Sequence, residues 1–401
     1  MLFDALLLQL GYNATLVSIG AALLGGAAGI TGTFLFLRKR ALVSDAVSHA
    51  TLPGVCLAFL LMVSFGGDGR NLTGLLLGSA VSAAAGLWCL NWLTQRTRLA
   101  EDAAIGAVLS VFFGFGVVLL TVIQTLGVGR QAGLEGFLLG STAGMLFSDA
   151  LVIAAGGTAT LFVILLARRA LTLVAFDPDF AQTQGLPVGR IDMLMMGLVM
   201  AVTVVGLKIV GLILIVALLI IPAVTARFWS ERSEQVVALA GLFGAGAAYV
   251  GAALSASAPN LPTGPLIVLV SFAFFALSLI CAPQRGVLAT VVQRRRFQRR
   301  VHLRQGLLAL AQNQPIYEAL TLRLLRQAGL ARADGVATDA GKARAAKALR
   351  DEKRWEFVRR DPANETAAAL YDGLRAIETV LTADQIAEID RQIGGPQEVL
   401  L

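Results

Sequence analysis

Nine apolar stretches fill most of the first 284 positions of this sequence, at about 14–37, 41–63, 72–94, 103–124, 148–167, 190–207, 209–226, 235–256 and 265–282. Each is close to the roughly 20 residues that a helix needs to cross the hydrocarbon core of a bilayer. Lipid offers no water to pair with backbone N–H and C=O groups, so such a run must satisfy them within its own helix. The predicted fold class is therefore an all-α membrane protein, a polytopic helical bundle of about nine spans. Charge divides the chain in the same way. Residues 1–284 carry 13 Lys and Arg with 12 Asp and Glu, whereas 285–401 carry 20 and 14. The expected organisation is a transmembrane domain over 1–284, a basic juxtamembrane linker over 285–300 and a water-soluble tail over 301–401. Charged residues are 15% of the chain against roughly 25% in soluble domains. That excludes a soluble enzyme, a secreted disulfide scaffold and a disordered protein. Cys56, Cys89 and Cys281 all lie in apolar runs and form no CxxC pair, which reads as small buried hydrophobes.

The connections set the orientation. Arg38, Lys39, Arg40, Arg96, Arg98, Arg168, Arg169, Arg190, Arg227 and Arg232 fall in every second gap, and only Arg70, Arg130 and Lys208 fall in the others. By the positive-inside rule the N-terminus is outside and the tail is in the cytoplasm. The start, MLFDALLLQLG, carries Asp4 and no basic n-region, so it does not read as a cleaved signal peptide. The stretch 133–147 is apolar but too short to cross, and its glycines and Glu135 suit a re-entrant half-helix. The sixth and seventh spans meet at Lys208–Gly211 and call for a tight external hairpin. No internal repeat is evident.

The second span opens ALVSDAVSHATLPG. Asp45 and His49 are four residues apart and so share one helix face. A carboxylate and an imidazole are costly to bury in a span unless they line an aqueous path or meet a cation. Pro53, one turn further, removes an intrahelical hydrogen bond and kinks the helix. One oxygen and one nitrogen ligand suit manganese, iron or zinc better than magnesium or calcium. Two facing copies would supply four ligands. The bland alternative is that Asp45 is an ordinary acid near a helix N-terminus.

The string SDAVSHATLPG resembles the signature G-D-x-x-S/A-H-A-x-x-x-G of the permease subunits of zinc/manganese/iron-type ABC importers, with Ser44 in place of the first glycine. The resemblance implies that Asp45 and His49 form the metal-coordinating gate of a translocation path. A second string, AFDPDFAQTQGLPVGR, carries its own boundary signals. Asp177 is an N-cap, Pro178 fits the first helical position, Gly185 fits a left-handed stop and Pro187 bars continuation. In the same family such a segment is the coupling helix that seats on a cytoplasmic ATPase, which implies a contact through Phe176, Asp177, Asp179, Phe180, Ala181 and Gly185. The stretch KIVGLILIVALLIIPAVTARFWSERSEQ, with Pro222 as a second helix kink near its end, and NLPTGPLIVL at 260–269 extend the likeness over about residues 14–282.

No P-loop motif occurs in the sequence, so ATP hydrolysis is expected on a separate ATP-binding subunit and not on this chain. The resemblance further implies an extracytoplasmic metal-binding protein and a second permease subunit, either a copy of this chain or a relative. No permanently bound cofactor is expected, only a transported divalent metal (Mn, Zn or Fe). The cytoplasmic inner membrane of a bacterium is the expected location.

In the tail, VVQRRRFQRR at 291–300 reads as a stop-transfer anchor against anionic head groups. Beyond it a helix, a two-stranded wing around Asp334–Gly335 and another helix are expected, an order that resembles the winged-helix module of iron-dependent repressors. Glu352 and Thr379 stand where those repressors place metal-binding histidines, and Glu356 and Glu378 remain. Contact with the ATPase is the preferred role, with no nucleic acid expected. The alternatives are a membrane-anchored, metal-responsive regulator with a DNA-binding tail, an importer of an iron chelate or vitamin, and a proton-driven transporter.

Overall fold

The apolar runs fold as helices. The computed structural model describes residues 7, 9, 11–67, 69, 71–126, 147–207, 211–258 and 261–393, and among them there is no strand. The chain divides into two compact units, residues 1–288 and 289–401. The expected re-entrant segment at 133–147 lies, but for Phe147, outside the described residues.

In the first unit, eight helices are long and apolar enough to cross a bilayer. They are α1 (Tyr12–Leu37), α2 (Ala41–Ser64), α3 (Leu72–Arg96), α4 (Glu101–Leu126), α5 (Phe147–Phe176), α7 (Val188–Gly206), α9 (Ser233–Ser257) and α10 (Thr263–Cys281). Between α5 and α7 sits the short α6 (Pro178–Thr183). The ninth expected span, 209–226, is the shorter helix α8 (Leu212–Arg227), with 16 residues and so about 24 Å of rise. Gly211, with a left-handed φ of 83°, is the residue before its first turn and lies outside the helix. Pro222 lies inside α8, and Pro53 lies inside α2.

Helix α1 is the centre of this unit and packs against α5, α7, α8 and α9. Lipid tails are as apolar as leucine, so helices associate here through close approach of small residues rather than by exclusion of water. A Cβ placed on Gly29 would lie 2.2 Å from the Ala240 carbonyl oxygen, and one on Gly25 would lie 2.3 Å from that of Gly244. Helix α2 is held on the other side by α3 and α4. Val43, Ala46 and Val47 pack with Ala83, Leu90, Ala104, Ile105 and Val108.

All but the first two residues of α11 (Val287–Ala311) belong to the second unit, which continues with α12 (Ala319–Gln327), α13 (Asp339–Arg360), α14 (Glu365–Ala368) and α15 (Ala383–Ile393). Trp355 of α13 is fully buried, its indole N–H donating to the Arg375 carbonyl at 3.1 Å. The expected two-stranded wing is reduced to one antiparallel bridge, Ala331 with Ala337. Gly335 (φ 87°) turns the chain so tightly that the Arg332 N–H reaches the Val336 carbonyl at 2.8 Å. The returning leg stops at Thr338, which already caps α13 by accepting from the Gly341 N–H at 3.1 Å. No length remains for a ladder.

Candidate functional site

Helix α2 starts after a tight turn. Lys39 is left-handed at φ 60°, and the Arg40 N–H closes back on the Leu35 carbonyl at 2.9 Å. No acid lies in the first turn of α2. Asp45 is the fifth helical residue, which argues against a mere N-terminal acid. The His49 Nε2 is 3.3 Å from the Asp45 Oδ1, with the side chains 17% and 37% exposed respectively. The other ring nitrogen, Nδ1, is buried without a hydrogen-bond partner. Phe113 of α4 meets the imidazole edge-on.

The neighbouring hydroxyls are already committed. Ser44 donates to the Ala41 carbonyl, Ser48 to that of Ser44 and Thr51 to that of Ser48. Pro53 has no N–H, so the His49 carbonyl lacks the partner that a regular helix would give it. The pair can offer a cation one carboxylate and one imidazole. Among the described residues no group of three or more His, Cys, Asp and Glu could hold a metal ion, so the pair stands there as two ligands.

The predicted boundary signals of α6 are all present. The Asp177 Oδ1 accepts from the Phe180 N–H at 2.9 Å, Pro178 occupies the first helical position and Gly185 is left-handed at φ 78°. The Leu186 N–H then returns to the Ala181 carbonyl at 3.1 Å. Ala181 is fully buried, while Phe176 and Phe180 are half exposed and Asp177, Asp179 and Gly185 are exposed. A six-residue helix is marginal in water by itself. Here the cap and the buried Ala181 hold it while two aromatic rings face outward.

The profile of the ABC 3 transport family matches residues 12–282. The chain belongs to this family. It is 41% identical over 310 residues to the manganese transport system membrane protein MntC of Bacillus subtilis (strain 168), covering 77% of this chain and 70% of that one. It is 40% identical over 285 residues to the zinc transport system membrane protein TroC of Treponema pallidum (strain Nichols), covering 71% and 94%. Among solved structures it is similar to PsaBC from Streptococcus pneumoniae in complex with Fab. The TM-score is 0.61 and the identity 29%, over 71% of this chain and 98% of that one. The chain is thus a multi-pass ABC-type permease, a transport subunit, and the family match ends before the tail.

Four charged residues of this permease escape a motif search. Arg38 grips Asp192 with two hydrogen bonds, Nε–Oδ1 at 3.2 Å and Nη2–Oδ2 at 2.9 Å. Arg40 reaches the same carboxylate at 3.3 Å and pairs with Glu101 at 2.9 Å. By sequence the arginines count only as positive-inside charges. The available signal was Asp192, a lone acid in the apolar run that opens α7.

In the tail, the suggested sensor residues are engaged elsewhere. Glu352 pairs with Arg304 and accepts from the Tyr371 hydroxyl at 2.8 Å. Burial works to raise its pKa, but the bonds from Arg304 and Tyr371 outweigh it and hold the carboxyl below its ordinary range. Glu356 pairs with Arg360 at 2.6 Å and Glu378 with Lys347 at 3.0 Å. Thr379 donates to the Ala376 carbonyl at 2.7 Å.

Proposed function

We propose that this permease is the membrane-spanning subunit of an ATP-driven importer of a divalent transition metal, manganese or zinc. One observation carries the reading: on the face of α2, the Asp45 carboxylate and the His49 imidazole stand one turn apart, one turn before Pro53, which lies inside the same helix. The names of the relatives, manganese and zinc transport proteins, support the same cargo. A bare dication is favoured over an iron chelate or a vitamin because a carboxylate–imidazole set binds the ion itself, whereas a large organic cargo calls for apolar and aromatic walls.

In this reading a second permease, a copy or a relative, brings its own pair to the central path. The metal then passes between carboxylates and imidazoles in place of its hydration shell. A separate ATP-binding subunit seats on α6, chiefly through Phe176 and Phe180, with Asp177, Asp179, Ala181 and Gly185 shaping the helix it grips. ATP binding there moves α6 and opens the path to one side at a time. An extracytoplasmic metal-binding protein delivers the ion to the face where the N-terminus lies, and the tail lies in the cytoplasm. The test is uptake of Mn2+ and Zn2+ into vesicles holding the permease with its ATPase. Uptake should be present in the unaltered complex and absent after Asp45→Ala plus His49→Ala, and retained uptake in the double variant would remove the gate assignment. Uptake that persists without ATP would favour the proton-driven alternative.

A further inference from the structure

We infer that Asp192, together with Arg38, Arg40 and Glu101, is an ionic strut that carries the motion of α6 to the gate helices α2 and α4. This inference deepens the function proposed above and rests on it.

The strut begins in a rigid piece. Helix α6 is tied to α7 by the Leu186 N–H on the Ala181 carbonyl, and the Ile191 N–H bonds the Pro187 carbonyl at 3.1 Å. Ala181, Ile191 and Met195 share one core with Phe34 and Leu35 at the end of α1. Asp192, the fifth residue of α7, therefore moves with α6. Its carboxylate is 14% exposed and takes both arginines, Arg38 at 15% and Arg40 at 25% exposure.

At the other end there is no slack. Only Arg38, Lys39 and Arg40 separate α1 from α2, and the left-handed Lys39 closes that turn. A pull on Arg40 reaches α2 at its first residue, and Asp45 follows one turn later. Arg40 also holds Glu101, the first residue of α4. This is the helix whose Phe113 lies against His49. Both helices flanking the gate thus hang on one guanidinium, which hangs on Asp192.

A cavity of about 750 Å3 adjoins this cluster and is lined by Arg40, Glu101 and Asp192 together with Asn91 and Gln95. It provides room and polar partners for the pairs to re-form after a shift. A bidentate guanidinium–carboxylate contact also fixes direction as well as distance, which a greasy contact at the same place would not do. In this inference the four act as positioning residues, through α2 and α4 and not on the ion itself.

The experiment uses the permease–ATPase complex in vesicles and measures Mn2+ or Zn2+ uptake and ATP hydrolysis in the same preparation. Asp192→Asn keeps the shape and removes the charge. Uptake per ATP should fall by about tenfold, within the range of an ordinary coupling energy, while hydrolysis stays within about twofold. Asp192→Glu should restore much of the ratio, and Arg40→Gln should reproduce the Asn phenotype. An unchanged ratio overturns the strut. So does an equal fall of uptake and hydrolysis in both Asp192→Asn and Arg40→Gln, loss of assembly included, because that is the mark of a purely structural role. Failure of the underlying reading is distinct: the unaltered complex would then take up neither metal.

Discussion

The ring of Phe113 on α4 meets the imidazole of His49 on α2 edge-on, with centroids 4.7 Å apart and an interplanar angle of 79°. With Asp45 on the Nε2 side and Nδ1 buried and unpartnered, that contact is what holds the imidazole from the α4 side. A metal-bound histidine usually gives its second ring nitrogen to an acceptor that raises its basicity. Among the described residues His49 has no such acceptor.

Replacing Phe113 by Ala removes the edge contact, worth about 0.5–1.5 kcal/mol beyond its area. Metal uptake should slow by roughly 2- to 10-fold, with the apparent KM for the ion rising while ATP hydrolysis is kept. Phe113→Tyr should behave nearly as the unaltered chain. Initial uptake rates over a range of Mn2+ concentrations check this.

The α1–α9 contact makes a packing prediction. Gly29→Ala sets a methyl 2.2 Å from the Ala240 carbonyl oxygen, so one helix must move, at a cost of about 1–3 kcal/mol. Gly106→Ala meets nothing within 4 Å and should leave stability unchanged or slightly raised. Thermal unfolding of the two variants in detergent, side by side, separates them.

The α6 cap should matter for assembly. Asp177→Ala removes the acceptor for the Phe180 N–H and destabilises the helix by about 1 kcal/mol. Phe180→Ala removes an exposed ring where a partner would anchor, and loss of such an anchor costs about 2 kcal/mol. Co-purification of the ATPase should weaken in both variants and most in Phe180→Ala. Full retention in Phe180→Ala would mean that α6 is not the seat.

The tail should be acid-sensitive. The Arg354 hydrogen bond holds the Asp390 carboxyl below its ordinary range, and Glu352 is held down as well. Folded values below the unfolded ones give a stabilisation that is complete above about pH 5. It is lost as pH falls through the folded values. Arg354→Met also strands Asp351, which is 9% exposed and accepts from Arg354 at 3.0 Å. Trp355 fluorescence, in a chain whose other three tryptophans are replaced by Phe, should report acid unfolding, shifted to higher pH by Arg354→Met.

Where the physics is local, the chain can be read directly. Asp45 and His49 meet because helical spacing brings residues four apart together. Asp177, Pro178 and Gly185 bound α6 because each residue type satisfies one terminal requirement. The Arg38–Asp192 pair spans 154 positions, and only the packing of α7 beside the α1–α2 turn brings it together. The wing fails for a local reason that composition hides: Thr338 serves as a helix cap one residue after the bridge at Ala337. The left-handed backbone of Gly211, just before α8, is likewise something a hydropathy pattern does not register.

Zinc-edge absorption spectroscopy on the purified permease–ATPase complex equilibrated with Zn2+ tests the central claim most directly. The account predicts nitrogen and oxygen ligands at about 2.0–2.2 Å with the outer-shell scattering of imidazole, and loss of that imidazole signal in His49→Ala. A bound-zinc spectrum that His49→Ala and Asp45→Ala leave unaltered would contradict it.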